Sequence, residues 1–454
     1  MNRQLINKYN IPGPRYTSYP TTPYWDEDTF TVEEWKRTLT QSYSESNEKE
    51  GISIYIHLPF CESLCTFCAC HKHITKRHSV EDDYIDTVIQ EWDLYLNLFE
   101  TKPIIKELHL GGGTPTFFSP ENLKRLLESI FEKAIIADKP EFSLEGHPNN
   151  TTREHMQVLY DLGFRRISFG VQDYDPKVQK AINRIQPFEN VKKVTEIARE
   201  IGYTSISHDL VFGLPFHTLE AMKNTIQKTR DLNPDRIAFY SYAHVPWIKG
   251  VGQRGFDEND LPKSEEKREL YEVGKAMFEE MGYVEIGMDH FSLRDDSLYQ
   301  AAINKKMHRN FMGYSSSNTQ VMIGLGMSAI SDSWYSFAQN SKSVKEYKEM
   351  INRGELAVQK GHILTEEDLR IRRHILNLMC NLETTFQPED KNYINLEETR
   401  TRLEEMEKDG LLAWDGDHLN VTEDGRIFVR NICMTLDLRM LRNKPETRIF
   451  SMTV

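Results

Sequence analysis

The sequence YIHLPFCESLCTFCAC, residues 55–70, decides how the chain is read. It begins inside a β-rich run at 52–60 and breaks at Cys61, so a buried strand delivers its end directly into a cysteine loop. Cys61, Cys65 and Cys68 follow the spacing CxxxCxxC, and Cys70 lies two residues further on. Thiolates are the usual ligands of iron–sulfur clusters. Three of them on a four-iron cube leave one iron without a protein ligand, open to a chelating small molecule. A structural zinc site draws on CxxC pairs well separated in sequence, and the disulfide framework of a secreted protein spreads its cysteines along the chain. Four cysteines within ten residues are too crowded for the disulfide framework, and metal or redox chemistry is the expectation, with a zinc site on all four sulfurs or a chance cluster of buried thiols as the alternatives.

Outward from this loop, β-rich runs at 52–60, 107–111, 141–145, 166–171, 205–212 and 236–242 alternate with helical patterns at 80–98, 120–133, 152–162, 188–201 and 219–231. Helices between strands are crossover connections, and six successive strands of this kind predict an α/β fold with a parallel sheet. Such a sheet is doubly wound or curved into an incomplete (β/α)6 barrel, and periodicity does not separate the two. Both gather chemistry at the carboxyl ends of the strands. Cys61, residues 111–114, Glu145, Gln172 and Asp209 stand at those ends.

After Ser264 come another helix, a strand-like segment at 283–288 and a long irregular stretch to about residue 341, rich in Gly, Ser and Asn. A loop of that length points to function or to structure the pattern hides. From about 342 the chain turns to charged helices, a hairpin at 411–422 around Asp415-Gly416 and a closing helix at 423–433, the outline of a winged-helix-like domain. The expected organisation is an N-terminal arm at 1–50, a barrel with its extension at 51–341 and a mostly helical C-terminal domain at 342–454.

With 454 residues, 39% hydrophobic and 28% charged, the chain has material for about two or three domains. Its 56 Lys and Arg stand against 69 Asp and Glu, a formal charge of −13 that argues against nucleic acid as a partner. Neither a signal-peptide pattern nor a run of about 18 apolar residues is present, which makes the cytoplasm the expected location.

Further segments stand out: GPRYTSYPT from Gly13, LHLGGGTPT from Leu108, FGVQD from Phe169, DLVFGLP from Asp209, GMDHF from Gly287, HRNFMGY from His308 and RNICM from Arg430. Together with the cysteine segment, over nearly the whole chain, they resemble one family, the oxygen-independent coproporphyrinogen III oxidases (dehydrogenases) of the radical S-adenosylmethionine (SAM) superfamily. The resemblance implies an incomplete (β/α)6 radical SAM barrel with one 4Fe-4S cluster on Cys61, Cys65 and Cys68. It also implies two SAM molecules: Tyr55, Gly112, Glu145 and Ile330 match contacts to the first, and Phe67, Gly113, Thr114, Gln172, Arg184, Asp209 and Ala243 contacts to the second. The side chains suit these roles, since Glu145 and Asp209 can accept from ribose hydroxyls and Arg184 can pair with a carboxylate. Glycines let backbone approach a ligand closely.

The same resemblance implies the activity: coproporphyrinogen III loses two propionate carboxyls, giving the vinyls of protoporphyrinogen IX, by way of a 5′-deoxyadenosyl radical. A reduced flavodoxin- or ferredoxin-type donor supplies the electron, and the enzyme is expected to be a monomer. Residues 13–21, with Arg15, Tyr16 and Tyr19, are a candidate lid or a packed arm. Arg15, Arg184 and Arg309 are candidate cations for the substrate's carboxylates, His290 and His308 candidate propionate or proton groups, and Cys433 a buried small hydrophobe. Cys70 is structural or lies near the cluster. Gly146-His147 departs from the family, whose members carry an apolar residue and then Asp there; the histidine is a group titrating near neutrality or a partly exposed loop residue. Three other functions compete: a haem-carrying chaperone of the same superfamily, which lacks counterparts of Cys70 and GPRYTSYPT, an anaerobic haem-opening methyltransferase, and a zinc-stabilised winged-helix regulator.

Overall fold

Helix α1 (Val32–Glu50) starts where the Thr31 side chain accepts from the Glu34 N–H, and ends at Gly51, whose φ of +73° an L side chain rarely adopts. It leads into β1 (Ile52–Leu58), buried along nearly its whole length, the pattern of a central strand covered on both faces. The computed structural model of the chain describes residues 3–26, 28–245, 253, 255–445, 447 and 449–453. In it, α2 (Glu81–Leu96), β2 (Ile104–Gly112), α3 (Pro120–Phe131), β3 (Ile135–Gly146), α4 (Arg153–Asp161) and β4 (Phe164–Gln172) follow β1. Next come α5 (Phe188–Ile201), β5 (Ser205–Phe212), α6 (Leu219–Leu232) and β6 (Arg236–Ser241).

Strands β1 to β6 lie side by side in sequence order, every pair parallel. An order that never reverses has no switch point, and right-handed crossovers then place the connecting helices on one face. That is a barrel wall and not a doubly wound sheet. Past β6, helix α7 (Ser264–Glu280) precedes β7 (Val284–Gly287), which forms the outer edge beyond the antiparallel β8 (His290–Ser292). On the other side β1 pairs in parallel with β9 (Val321–Leu325), followed outward by β10 (Ile330–Ser333), β11 (Ser336–Asn340) and β12 (Val358–Ile363). The twelve strands run from edge to edge without closing.

Residues 289–341, expected as irregular, thus hold strands on both flanks of the sheet. They escape periodicity because they are short, and β10 and β11 also because they are polar, whereas β9 is a buried apolar run of five residues. Ser336 Oγ lies 2.6 Å from Thr38 Oγ1 and Ser42 Oγ accepts from the Trp334 N–H, so hydroxyls of α1 bond directly to this flank. Behind the sheet, Glu91 of α2 accepts from the Gly326 N–H at 2.7 Å, the Asn340 amide at 2.6 Å and the hydroxyl of Tyr347 on α8 (Val344–Asn352) at 2.7 Å. Burial pushes its carboxyl up to about 7 against those three donors. Tyr84, also on α2, donates to the His57 carbonyl and accepts from the Met327 N–H. Together they tie the turn after β9 to the end of β1.

The chain divides into two compact units. The larger, residues 31–299 and 319–361, contains the sheet; the smaller consists of residues 1–30, 300–318 and 362–454. The boundaries differ from the three consecutive segments expected. In the smaller unit α9 (Glu366–Asn381), β13 (Glu383–Thr385), α10 (Leu396–Lys408), β14 (Leu412–Asp415), β15 (His418–Val421) and α11 (Val429–Met434) form helices with a three-stranded sheet, the hairpin turning at Gly416 as read. The arm is built into this unit. Arg430 donates through Nε to Pro14 O, through Nη2 to Gly13 O and through Nη1 to Met452 O, while Arg309 donates to Arg15 O and Tyr16 O. Tyr16 and Tyr19 are fully buried, Tyr16 donating to Asp437 Oδ2. The aromatic surface expected to face a tetrapyrrole is therefore packed inside, and Arg309 serves main-chain carbonyls. Burial, then the charge of Arg372, pushes His308 down to about 4, while Cys433 is buried as expected.

Two outcomes follow. Arg430→Ala leaves buried carbonyls unpaired and should destabilise the smaller unit by about 3 kcal/mol, seen as a lower first unfolding transition and new proteolytic cuts within residues 10–20. Because the folded state holds the Glu91 proton more tightly than the unfolded chain, its contribution falls as pH rises from 4.5 to about 7. Calorimetric scans across that window should show the wild type losing roughly 3 kcal/mol relative to Glu91→Gln.

Candidate active site

Parallel strands in register bring their carboxyl ends to one rim, and alternate residues share the face away from the helices. On that face the Tyr55 and His109 rings stack at 6.1 Å, and His109 Nδ1 lies 2.8 Å from Ser143 Oγ. The Gly112 N–H donates to Glu145 Oε2 at 3.3 Å, and Ser168 Oγ donates to Asp209 Oδ2 at 2.8 Å. Burial pushes the Asp209 carboxyl up to about 7, the Ser168 donor opposing it, whereas the Glu145 side chain is half exposed at the mouth.

The cysteine loop sits on this rim. Gly113 N–H donates to Leu58 O at 2.9 Å and Thr114 N–H to Phe60 O at 3.0 Å, stitching the end of β2 to the chain entering Cys61. A Cβ on Gly113 would lie 2.5 Å from Pro59 O, so glycine is required. Gly112 has φ +116°, and a Cβ there would press on the His57 ring. The loop's far side is held by residues following β4: Thr66 N–H donates to Ile182 O, and the Asn183 amide to Leu64 O.

Arg184 bridges the two regions, donating through Nη2 to Gly170 O at 2.6 Å while Nη1 approaches Cys65 Sγ at 3.6 Å. Cys61 Sγ lies 3.3 Å from Thr114 Oγ1. Interaction with Cys70 pulls the Cys68 thiol down to about 6 and pushes Cys70 up. Burial pushes Cys61 up to about 11.

The other expected residues fall around these. Gln172 closes β4 with φ +67°, its amide and Arg184 leaving no room for a Cβ on Gly170. Ile330 opens β10, its carbonyl against Gly324, the register partner of Tyr55. Phe67 packs on Val178, Ile182, Val211, Leu214 and Tyr242, and Ala243 O accepts from the Gln253 amide. Arg15 and Arg309 belong to the smaller unit, and His290 bonds to Met288 O and faces Tyr240 Oη at 3.3 Å. His147 is not a group titrating near neutrality: burial, then Arg184, pushes it down to about 3, and its Nδ1 accepts from the Asn149 N–H. Sequence reading missed His57, His109 and Ser168 as members of this face. Period-two spacing from Tyr55, Gly111 and Gly170 marks all three.

Among the described residues no three His, Cys, Asp or Glu side chains are close enough together to hold a metal ion. The donor set nonetheless suits an iron–sulfur cluster. Three partly buried thiols share one loop, with the Arg184 guanidinium beside Cys65 and the Lys72 ammonium on the Cys68 and Cys70 carbonyls, cations that favour thiolates.

A match to the radical SAM superfamily covers residues 55–229. The oxygen-independent coproporphyrinogen III oxidase of Helicobacter pylori (strain 26695) is 38% identical over 96% of both chains. That of Escherichia coli K12 is 36% identical over 99% of this chain and 98% of its own. The solved structure of the E. coli coproporphyrinogen III oxidase HemN, described as a radical SAM enzyme, superposes with a TM-score of 0.88 at 34% identity, covering 96% of this chain and 98% of that one.

Single replacement of Cys61, Cys65 or Cys68 by Ser should abolish iron and sulfide retention after anaerobic reconstitution, whereas Cys70→Ser should keep the cluster. Iron analysis with electron paramagnetic resonance checks both.

Proposed function

The chain belongs to the oxygen-independent coproporphyrinogen III oxidases, radical SAM enzymes of haem biosynthesis, and from that premise we propose how its rim performs the reaction. It is an oxidoreductase with a 4Fe-4S cluster and SAM as cofactors. Its substrate is coproporphyrinogen III. When bound, the cluster and SAM would supply a 5′-deoxyadenosyl radical that takes one hydrogen atom from each reacting propionate side chain, which then loses CO2 and passes one electron to an acceptor to leave a vinyl group.

The protein's task is to hold the partners and keep water out. Cys61, Cys65 and Cys68 would hold the cluster. Tyr55, Gly112, Glu145 and Ile330 would line the place of the SAM beside it, Glu145 accepting from a ribose hydroxyl and the glycine backbone leaving room for close approach. Phe67, Gly113, Thr114, Gln172, Arg184, Asp209 and Ala243 would receive a second SAM, Arg184 pairing with its carboxylate and Asp209 accepting from its ribose hydroxyls. Two SAM molecules match two propionates, one radical for each.

The observation that supports this reading is the meeting of Glu145, Arg184 and the Ser168–Asp209 pair on the rim that carries the cysteine loop. The electron donor is a reduced flavodoxin- or ferredoxin-type protein, and the enzyme acts as a cytoplasmic monomer. Among the described residues no helix is long and apolar enough to cross a membrane.

The test is anaerobic reconstitution, reduction, and incubation with SAM and coproporphyrinogen III, with products followed by mass spectrometry. Protoporphyrinogen IX should form with two CO2, two 5′-deoxyadenosine and two methionine per turnover. Deoxyadenosine without CO2 loss would overturn the substrate assignment. A ratio of one SAM per porphyrinogen would overturn the two-SAM arrangement.

A further inference from the structure

Directly after the cysteine loop the sequence reads HKHITKRH, residues 71–78, a concentrated run of basic residues in a chain whose net charge is −13. Lys76 and Arg77 are exposed, and between them and Lys72 lies Ile74, 42% exposed. This segment is attached to the cysteine loop by backbone pairing. Phe60–Cys61 runs parallel to His73–Ile74, with the His73 N–H on Pro59 O at 2.8 Å and the Thr75 N–H on Cys61 O at 2.9 Å. Lys72 Nζ spans Cys68 O at 3.3 Å and Cys70 O at 3.2 Å.

Acidic groups border the segment at one end, where Glu62 and Glu81 face His78 and the exposed Asp82 and Asp83 follow. An exposed apolar side chain with Lys72, Lys76 and Arg77 beside it in sequence, on a segment one backbone hydrogen bond from Cys61, offers a docking face next to the cysteine loop.

We propose that residues 72–77 form the docking surface for an acidic one-electron carrier protein. This rests on the functional reading above, in which the cluster must be reduced from outside. The carrier gives up one electron and the cluster gains it, with no bond to the protein made or broken. Charge complementarity commits the surface to this occupant. An acidic partner is repelled by the rest of a chain at −13 and attracted where the basic run meets the cysteine loop, which raises encounter rates and orients the complex.

The experiment uses the reconstituted full chain, a flavodoxin as carrier and the double variant Lys76→Glu/Arg77→Glu. Lys193→Glu/Lys223→Glu, an exposed pair on α5 and α6, controls for net charge. Binding of oxidised flavodoxin is titrated calorimetrically at low and at moderate salt. Cluster reduction by flavodoxin hydroquinone is followed by stopped flow, and deoxyadenosine formation is driven separately by dithionite. The 76/77 variant should bind flavodoxin at least about tenfold more weakly, lose most of the salt dependence and accept electrons correspondingly slowly. Its dithionite-driven rate should equal that of the wild type. Equal binding and salt dependence in the 76/77 variant and the wild type, or an equal loss in the control pair, would overturn the docking surface. Absence of dithionite-driven deoxyadenosine in the wild type would instead overturn the radical SAM reading.

Discussion

The structure of the site depends on one close approach, the backbone of Gly113 against the carbonyl of Pro59. There is no space for a Cβ at that position, and two main-chain hydrogen bonds, Gly113 to Leu58 and Thr114 to Phe60, run alongside it. Loops that carry chemistry need a scaffold to position them. Here the scaffold is the end of the neighbouring parallel strand, and the contact exists because β1 and β2 are adjacent and in register. The glycines of LHLGGGTPT thus both admit a ligand and let β2 hold the entrance to the cysteine loop. Residues after β4 hold its other side through Ile182 and Asn183, so the loop spans most of the rim.

Burial keeps the inner face of the barrel nearly neutral. His57 and His147 are held in the uncharged form, and Asp209 is lifted to about 7, while the Glu145 side chain remains half exposed. Isolated charge in such a setting is costly unless it is paired. Fixed charge near the thiols therefore comes from Arg184, supported by Gly170 O, and from Lys72, anchored on loop carbonyls. Cations placed there favour thiolate ligands and a bound carboxylate at the same time.

Much of this was legible in the sequence, for identifiable reasons. The six central strands are β-branched or aromatic runs with helices between them, and their order settles barrel against doubly wound sheet, which periodicity alone left open. The expected start of β3 fell six residues late because IIADKP carries exposed and charged residues that look like a loop. The strands at 330–340 were hidden by Ser, Asn and Gln that are buried through hydrogen bonds, and the apolar strand at 321–325 by its length of five residues. Of the residues carried by motifs, Tyr55, Gly112, Glu145, Gln172 and Asp209 lie on strands of the parallel sheet, whereas Arg309 is built into the smaller unit. His57, His109 and Ser168 were passed over because a polar residue in a strand is noticed only once the strand's inward face is known.

The arginines show where chemical plausibility misleads. Arg309 comes from a segment resembling the family and Arg184 was matched to one of its contacts, and both were candidates for a carboxylate-rich substrate. A guanidinium has five donors, and main-chain carbonyls satisfy it as well as carboxylates do in geometry, without a counter-charge. Arg309 and Arg430 are used in that way: one from HRNFMGY and one from RNICM, they clasp consecutive carbonyls of GPRYTSYPT, from Gly13 to Tyr16. Three motifs far apart in sequence are thereby explained as one structural assembly within the smaller unit. Arg184 differs because one of its amino groups is spent on a carbonyl while the other reaches a thiol of the cysteine loop. Of the two, Arg184 is the one that stands beside the cysteine loop, and only the partners of each guanidinium reveal the difference.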